Sequence, residues 1–364
     1  MQICKKDKCT GCGLCIDVCP KKCIQMKSNE EGFIYPDINM DLCVECNQCK
    51  NKCPVNKAYI SDNYEKPLVY ACFNKEDNIR LDSTSGGLFS AIAKYIISKG
   101  GKVVGVTVDE KLKPKHIIID NEEDLELIRG SKYIQSRTTG IYKKVKELLD
   151  KNEIVLFSGT ACQISALYSY VGKEKSNLYT CEVICHGIGS EFVNDKQIKF
   201  IEDETKSKVE KLIYRSKKEG WTTSMSEYKL KNGTSKYVVS TDNLFMRTFY
   251  LTLCHRKSCY ECKYAKLPRV SDIMIGDFWG ADKLNFEQEE LKKGISLALI
   301  NNVKGEEIFD NIREFIGYRE ETIEHAAERN KHILVSNEQN PIREEFFKDI
   351  KTKEREYLME KYCK

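Results

Sequence analysis

The chain has 364 residues, 41% hydrophobic and 31% charged, with a formal net charge of +4. That length exceeds one comfortable core and predicts a small and a large domain, and so mild a charge gives no argument for a nucleic-acid surface. No apolar run approaches the ~18 residues of a membrane helix and the N-terminus MQICKKDKC carries no signal sequence, so the 18 cysteines read as reduced, cytoplasmic metal ligands rather than disulfides.

In chain order, residues 1–60 form a small domain too poor in apolar side chains to build a core without metal. Within it, CIQMKSNEEGFIYPDI (23–38) alternates as a hairpin turning at Gly32. KAYISDNYEK (57–66) is a polar linker, and a larger mixed α/β domain runs over 66–364. LVYACF (68–73) predicts a strand, and residues 87–98 a helix with Leu88, Ala91, Ile92, Tyr95 and Ile96 on one face. KVVGVTV (102–108) is a strand. EIVLFSG (153–159) and LYTCEVIC (178–185) are near-continuous apolar strands of the buried kind, the first followed by a helix from Ala161. Segments 211–215, 224–230 and 236–240 predict an antiparallel patch. SLALIN (296–301) precedes a helix over 306–316, and the Lys/Glu-rich tail from Pro341 predicts a surface helix. The fold class expected is α+β: a small ferredoxin-like domain, then the mixed α/β domain.

Cys9, Cys12, Cys15 and Cys19 precede Pro20, and Cys43, Cys46, Cys49 and Cys53 precede Pro54. Each is a C-x2-C-x2-C-x3-C-P run. The close spacing lets three thiolates curl around one 4Fe-4S cube, while the displaced fourth ligates the other. This assigns Cys9, Cys12, Cys15 and Cys53 to one cluster, and Cys43, Cys46, Cys49 and Cys19 to the second. Zinc is disfavoured, since zinc sites present cysteine pairs rather than quartets. Cys4 and Cys23 fall outside the pattern and read as inert thiols.

Three further segments stand out. STSGG (83–87) opens a helix, where free backbone N–H groups suit a phosphate or an ordinary cap. GTACQ (159–163) and CHGIGS (185–190) follow buried strands, the position where open sheets bind ligands. In CHRKSCYECKYAKLPRVSDIMIGDFWG (254–280), Cys254, Cys259 and Cys262 fall one short of a local quartet, and Cys162 and Cys185 are the nearest candidates to complete it. Asp277 either orients a cofactor or caps a turn, and Trp279 reads as core.

Together with GSKYIQS (130–136), these motifs span essentially the whole chain and resemble the family of coenzyme F-420 hydrogenase/dehydrogenase beta subunits, whose members are FAD-containing iron–sulfur flavoproteins. The resemblance implies FAD contacts at Ser85, Gly86, Gly87, Lys132, Tyr133, Gln135, Ser136, Gly159, Thr160 and Gln163. It also implies a third 4Fe-4S cluster on Cys162, Cys185, Cys259 and Cys262, with Cys254 as competing fourth ligand. His186 either protonates flavin or substrate or holds a backbone carbonyl, and His186-Gly187 departs from the pattern of F-420-using members. The expected function is an oxidoreductase passing electrons between clusters, served by an external ferredoxin or partner subunit, and a small hydride-exchanging substrate. A homo-oligomer is compatible with it. The rival readings are an electron-transfer subunit with no substrate site and, more remotely, a hydrolase using Cys162 and His186.

Overall fold

The computed structural model describes residues 1–57, 61–173 and 175–363. Thirteen strands are named in chain order: β1 Ile24–Ser28, β2 Ile34–Ile38, β3 Leu68–Asn74, β4 Lys102–Val108, β5 Pro114–Ile119, β6 Val155–Gly159, β7 Leu178–Val183, β8 Val209–Ser216, β9 Met225–Leu230, β10 Ser235–Val239, β11 Ile273–Asp277, β12 Ser296–Ile300 and β13 Ile316–Glu321. An eight-stranded sheet runs in the order β13-β3-β12-β11-β7-β6-β4-β5. Its centre, β4-β6-β7-β11, is parallel, and the flanking pairs are antiparallel. Val104, Leu156 and Phe157 are covered on both faces, which is why these strands read as unbroken apolar runs.

Helices Leu88–Ser98 and Val303–Ile312 cover one face with Ile92, Ile96, Ile308 and Phe309. Helices Ile141–Asp150 and Ala161–Val171 cover the other, and Cys12 and Leu14 of the N-terminal module share that core. β8, β9 and β10 form the expected antiparallel patch, and β1 and β2 the expected hairpin. Among the described residues no helix is long and apolar enough to cross a membrane.

Several expectations need correction. The segment 306–316 is not one helix: Val303–Ile312 is helical, capped by Asn302 Oδ1 on Gly305 N at 3.0 Å, and Ile316 opens β13 against β3. Gly317 allows that pairing, because a Cβ there would stand 2.4 Å from the Phe73 ring. The tail is no surface helix. Helices Arg343–Thr352 and Arg355–Cys363 bury Phe346, Phe347, Ile350, Leu358 and Tyr362 in one cluster with Phe33 of the hairpin. Of the expected linker, residues 58–60 lie outside the described residues. The part that follows is anchored, with Asn63 Nδ2 donating to Arg269 O at 2.9 Å and Ser271 O at 2.8 Å.

Candidate iron–sulfur and cofactor site

The N-terminal module folds its two cysteine runs into two thiol groups. Burial, then the neighbouring Cys12, Cys9 and Cys53 sulfurs, pushes the Cys15 thiol up. Burial likewise pushes Cys12 up to about 12, with Cys9, Cys162 and Cys53 adding to it. The structure therefore brings Cys9, Cys12, Cys15 and Cys53 together. Cys19, Cys43, Cys46 and Cys49 line a second, small cavity at the other end of the module. In each group one member comes from the other run. Cys4 and Cys23 lie against these groups rather than apart from them: Cys4 contacts Cys53 and Cys9, and the Cys23 and Cys19 sulfurs are 3.4 Å apart.

The module is docked firmly on the large domain. Thr138 Oγ1 and Tyr142 Oη donate to Cys12 O at 2.7 and 2.8 Å, and Gly140 N donates to Asp17 Oδ1 at 2.7 Å. The Cys12 sulfur is a neighbour of Cys162 across this join, near enough to feel its charge.

A third thiol group forms there. Cys162 enters with the first turn of the helix after β6, Cys185 with the loop after β7, and Cys259 and Cys262 with a turn before β11. Burial, then the Cys259, Cys162 and Cys262 sulfurs, drives the Cys185 thiol far above its ordinary range. Burial also pushes Cys162 up to about 12 and Cys259 up to about 11, with Cys262 adding to both. Ile188 N points at Cys259 Sγ from 3.4 Å. Cys254 faces elsewhere, among Thr248, Ser190 and Arg343. Among the described residues no three such side chains converge on a point that would hold a single metal ion. Four neighbouring thiols with a backbone N–H aimed at one sulfur are a donor set that a 4Fe-4S cube can use.

Beside this group the carboxyl ends of β6, β7 and β11 open onto a cavity of about 520 Å³, within the ~300–1,000 Å³ typical of cofactor sites. Ser85, Gly87, Lys132, Tyr133, Ser136, Gly159, Thr160 and Gln163 line it, as do Cys185 and His186. Gln163 Oε1 accepts from Thr160 N at 3.0 Å and its amide donates to Ser136 Oγ at 2.9 Å, so it shapes the wall by bracing it. Burial holds the Lys132 ammonium down to about 7. Gly86 and Gln135 do not face the cavity. Gly86 N donates to Ser296 Oγ at 2.9 Å, and an added Cβ would lie 2.6 Å from Cys72 O, so its role is a close backbone crossing. Gln135 is buried towards Gly11 of the N-terminal module. The His186 ring lies 4.0 Å from that of His332, its carbonyl accepts from Asn337 Nδ2 at 2.5 Å, and burial, then the Arg215 and Lys331 charges, lowers its pKa to about 4.

Several cavity residues carry no sequence motif. Arg215 projects from β8, and its guanidinium lies 3.3 Å from Asp277 Oδ2 and 4.9 Å from the centre of the Trp279 ring. Asp277 also accepts from Trp221 Nε1 at 2.8 Å, and Trp221 stacks on Trp279 at 5.0 Å. Asp277 thus positions an arginine and a tryptophan, and Trp279 belongs to the cavity wall. Only tertiary packing brings β8 to this sheet edge, so no local pattern could have found Arg215.

The comparisons agree with this architecture. The family model "Coenzyme F420 hydrogenase/dehydrogenase, beta subunit" matches with its N-terminal part at residues 69–142 and its C-terminal part at residues 152–325, and a 4Fe-4S dicluster domain matches residues 8–57. One subunit of the F(420)H(2) dehydrogenase of Methanosarcina mazei is 27% identical over 174 residues, 45% of this chain and 49% of that protein. A coenzyme F420-dependent sulfite reductase of Methanocaldococcus jannaschii is 30% identical over 171 residues, 44% of this chain and 24% of that protein. The chain therefore spans half or less of the length of these relatives. A chain of the F420-reducing NiFe hydrogenase complex from Methanosarcina barkeri superposes with a TM-score of 0.52 over 76% of this chain and 92% of its own length, at 17% identity, which shows the fold alone. With two models of one family matching most of its large domain, the chain belongs to the family of coenzyme F420 hydrogenase/dehydrogenase beta subunits and carries a 4Fe-4S dicluster domain at its N-terminus.

Proposed function

We propose that the chain is an iron–sulfur flavoprotein oxidoreductase, passing electrons between three 4Fe-4S clusters and a hydride-exchanging small molecule through FAD. One observation carries this reading: Cys185 belongs both to the third thiol group and to the wall of the 520 Å³ cavity. A flavin bound there supplies exchange of single electrons with clusters and of hydride with an organic partner. The residues present suit it. Lys132, Arg129 and Arg215 bring positive charge to a cavity whose remaining wall is largely apolar, fitting a phosphate-bearing aromatic ligand. Gly87, with φ of 83°, opens the helix Leu88–Ser98 towards the same space, as a phosphate site requires.

The chain's own groups make the wire. Cys12 of the module neighbours Cys162, and Cys185 lines the cavity. At the far end Cys46 is exposed and suits electron exchange with an external ferredoxin or partner subunit. Tyr133 and Gly187 are part of the cavity wall.

A second reading, an electron-transfer subunit with no substrate of its own, is favoured by two relatives: one is named as a subunit of a dehydrogenase, the other comes from a hydrogenase complex. Anaerobic purification with iron and flavin analysis tests the first reading. It expects roughly twelve irons, from three cubes, and one flavin per chain. Roughly eight irons and no flavin would overturn both the third cluster and the flavin. Turnover of a small acceptor by the isolated chain separates the two readings.

A further inference from the structure

Between the first and third thiol groups sits a guanidinium that the proposed wire does not use. Arg256 is fully buried. Its backbone is the knot of the third group: its N–H donates to Ile188 O, and its carbonyl accepts from Cys259 N, both at 2.9 Å. Its side chain crosses into the N-terminal module, where Nε donates to Cys9 O at 2.6 Å and Nη2 to Ile34 O at 3.0 Å, over the Tyr35 ring at 4.2 Å. Among the described residues no carboxylate pairs with it, and Nη1 has no hydrogen-bond partner. Gln135, also buried, has neither amide atom satisfied. Both side chains close on the loop between Cys9 and Cys12, since a Cβ on Gly11 would lie 2.9 Å from Arg256 Nη1 and 3.1 Å from Gln135 Oε1.

A buried cation without a counter-ion is costly, and unsatisfied buried donors are rare. Here the available anions are the cysteine sulfurs. The guanidinium meets the first group directly, through Nε on Cys9 O. The Arg256 backbone carbonyl holds Cys259 N, so one residue touches the chain at both groups. A cube on four thiolates is anionic, and each one-electron reduction adds negative charge, so a nearby cation favours the reduced form.

We propose that Arg256, assisted by Gln135, is a positioning residue that raises the reduction potentials of the two clusters it lies between, on Cys9/Cys12/Cys15/Cys53 and on Cys162/Cys185/Cys259/Cys262. The cluster on Cys19/Cys43/Cys46/Cys49 lies outside its reach. The electron is thereby drawn inward, from the exposed end of the module towards the join. The second half of the assignment rests on the proposed third cluster.

The test is a reductive titration of the anaerobically reconstituted full chain, followed by electron paramagnetic resonance with iron analysis, in wild type, Arg256→Lys, Arg256→Met and Gln135→Leu. Arg256→Met should lower the reduced-to-oxidised ratio of two of three clusters about tenfold at fixed potential, equivalent to about 59 mV for a one-electron couple. Arg256→Lys should recover most of it, and Gln135→Leu should give a smaller shift in the same clusters. Unchanged potentials, or equal shifts in all three, would overturn the proposal. Should Arg256→Met fail to hold iron, Gln135→Leu decides alone, a shift confined to the same clusters upholding the proposal and none overturning it. A wild type with iron for two clusters removes the third cluster. The Arg256 assignment then stands or falls on whether the Cys9 cluster moves while the Cys43 cluster does not.

Discussion

Arg343, wholly buried in the C-terminal helix pair, grips Glu31 in the N-terminal hairpin through two bonds, Nη1 to Oε1 at 3.1 Å and Nη2 to Oε2 at 2.7 Å. The same guanidinium donates to His255 O, beside the turn that carries Cys259 and Cys262. One side chain thus ties the first module, the last helices and the third thiol group. Arg343 Nη1 also donates to Glu344 Oε1 at 3.2 Å, so loss of Glu31 leaves the guanidinium one, more exposed, counter-ion.

Glu31→Gln should therefore destabilise the reconstituted chain by about 1.5–3 kcal/mol, the range of hydrogen bonds to a charged group, read by denaturant unfolding under anaerobic conditions. Exchanging Arg343 and Glu31 together for apolar residues should cost less, because no charge is then stranded in the interior. Equal stability of Glu31→Gln and wild type would show that the pair contributes nothing net.

A second prediction separates Cys185 from Cys254. Cys185→Ser should remove roughly four irons per chain, the content of one cube, and leave the N-terminal clusters in place. Cys254→Ser should keep the full iron content, because Cys254 faces Thr248, Ser190 and Arg343 instead of the other thiols. If Cys254→Ser loses the cube and Cys185→Ser keeps it, the ligand set is wrong.

Much of this arrangement is legible in the chain. The central strands show as apolar runs because both of their faces are covered, and the twin quartets because cube ligation fixes their spacing. The C-terminal helices read as a surface feature because charged residues flank the Phe346-Phe347 pair and separate it from Ile350, leaving the buried stripe thin. Arg215, Arg256 and Gln135 act across distances that no local period encodes. Gln135 reads as a flavin contact because it sits inside GSKYIQS beside residues that do line the cavity, yet it points the opposite way.

The expected division into domains at 60 and 66 also has a physical test. Leu14, buried in the N-terminal module, belongs to the same apolar cluster as Val104, Phe157 and Leu167 of the large domain. Leu14→Ala should cost about 2–5 kcal/mol, and heating of the wild type should give one cooperative transition involving both parts. Two separate transitions in wild type, with Leu14→Ala moving only the lower, would show that the module is held by its clusters alone.

The last prediction uses the sign of one titration twice. Burial holds Lys132 at about 7, below its ordinary 10.5. Below about pH 7 it is charged and would attract the phosphate oxygens of the proposed FAD; above, it is neutral. FAD affinity should therefore weaken as pH rises from about 6 to 8, and Lys132→Met should flatten that profile. Stability must move the other way. Between about 7 and 10.5 the unfolded chain holds the proton that the folded chain has lost, so stability rises with pH across that window. Lys217, also held down to about 7 by burial, contributes to the same rise, but its ammonium donates to three backbone carbonyls, of Arg80, Ser85 and Lys293, whereas that of Lys132 donates to Arg129 O, at 2.9 Å, from the cavity wall. Lys217→Met should thus trim the stability rise and leave the pH dependence of FAD binding intact, whereas Lys132→Met should change both. A binding profile that stays pH-dependent in Lys132→Met would move the phosphate contact to another cation, with Arg129 and Arg215 the remaining ones in the wall.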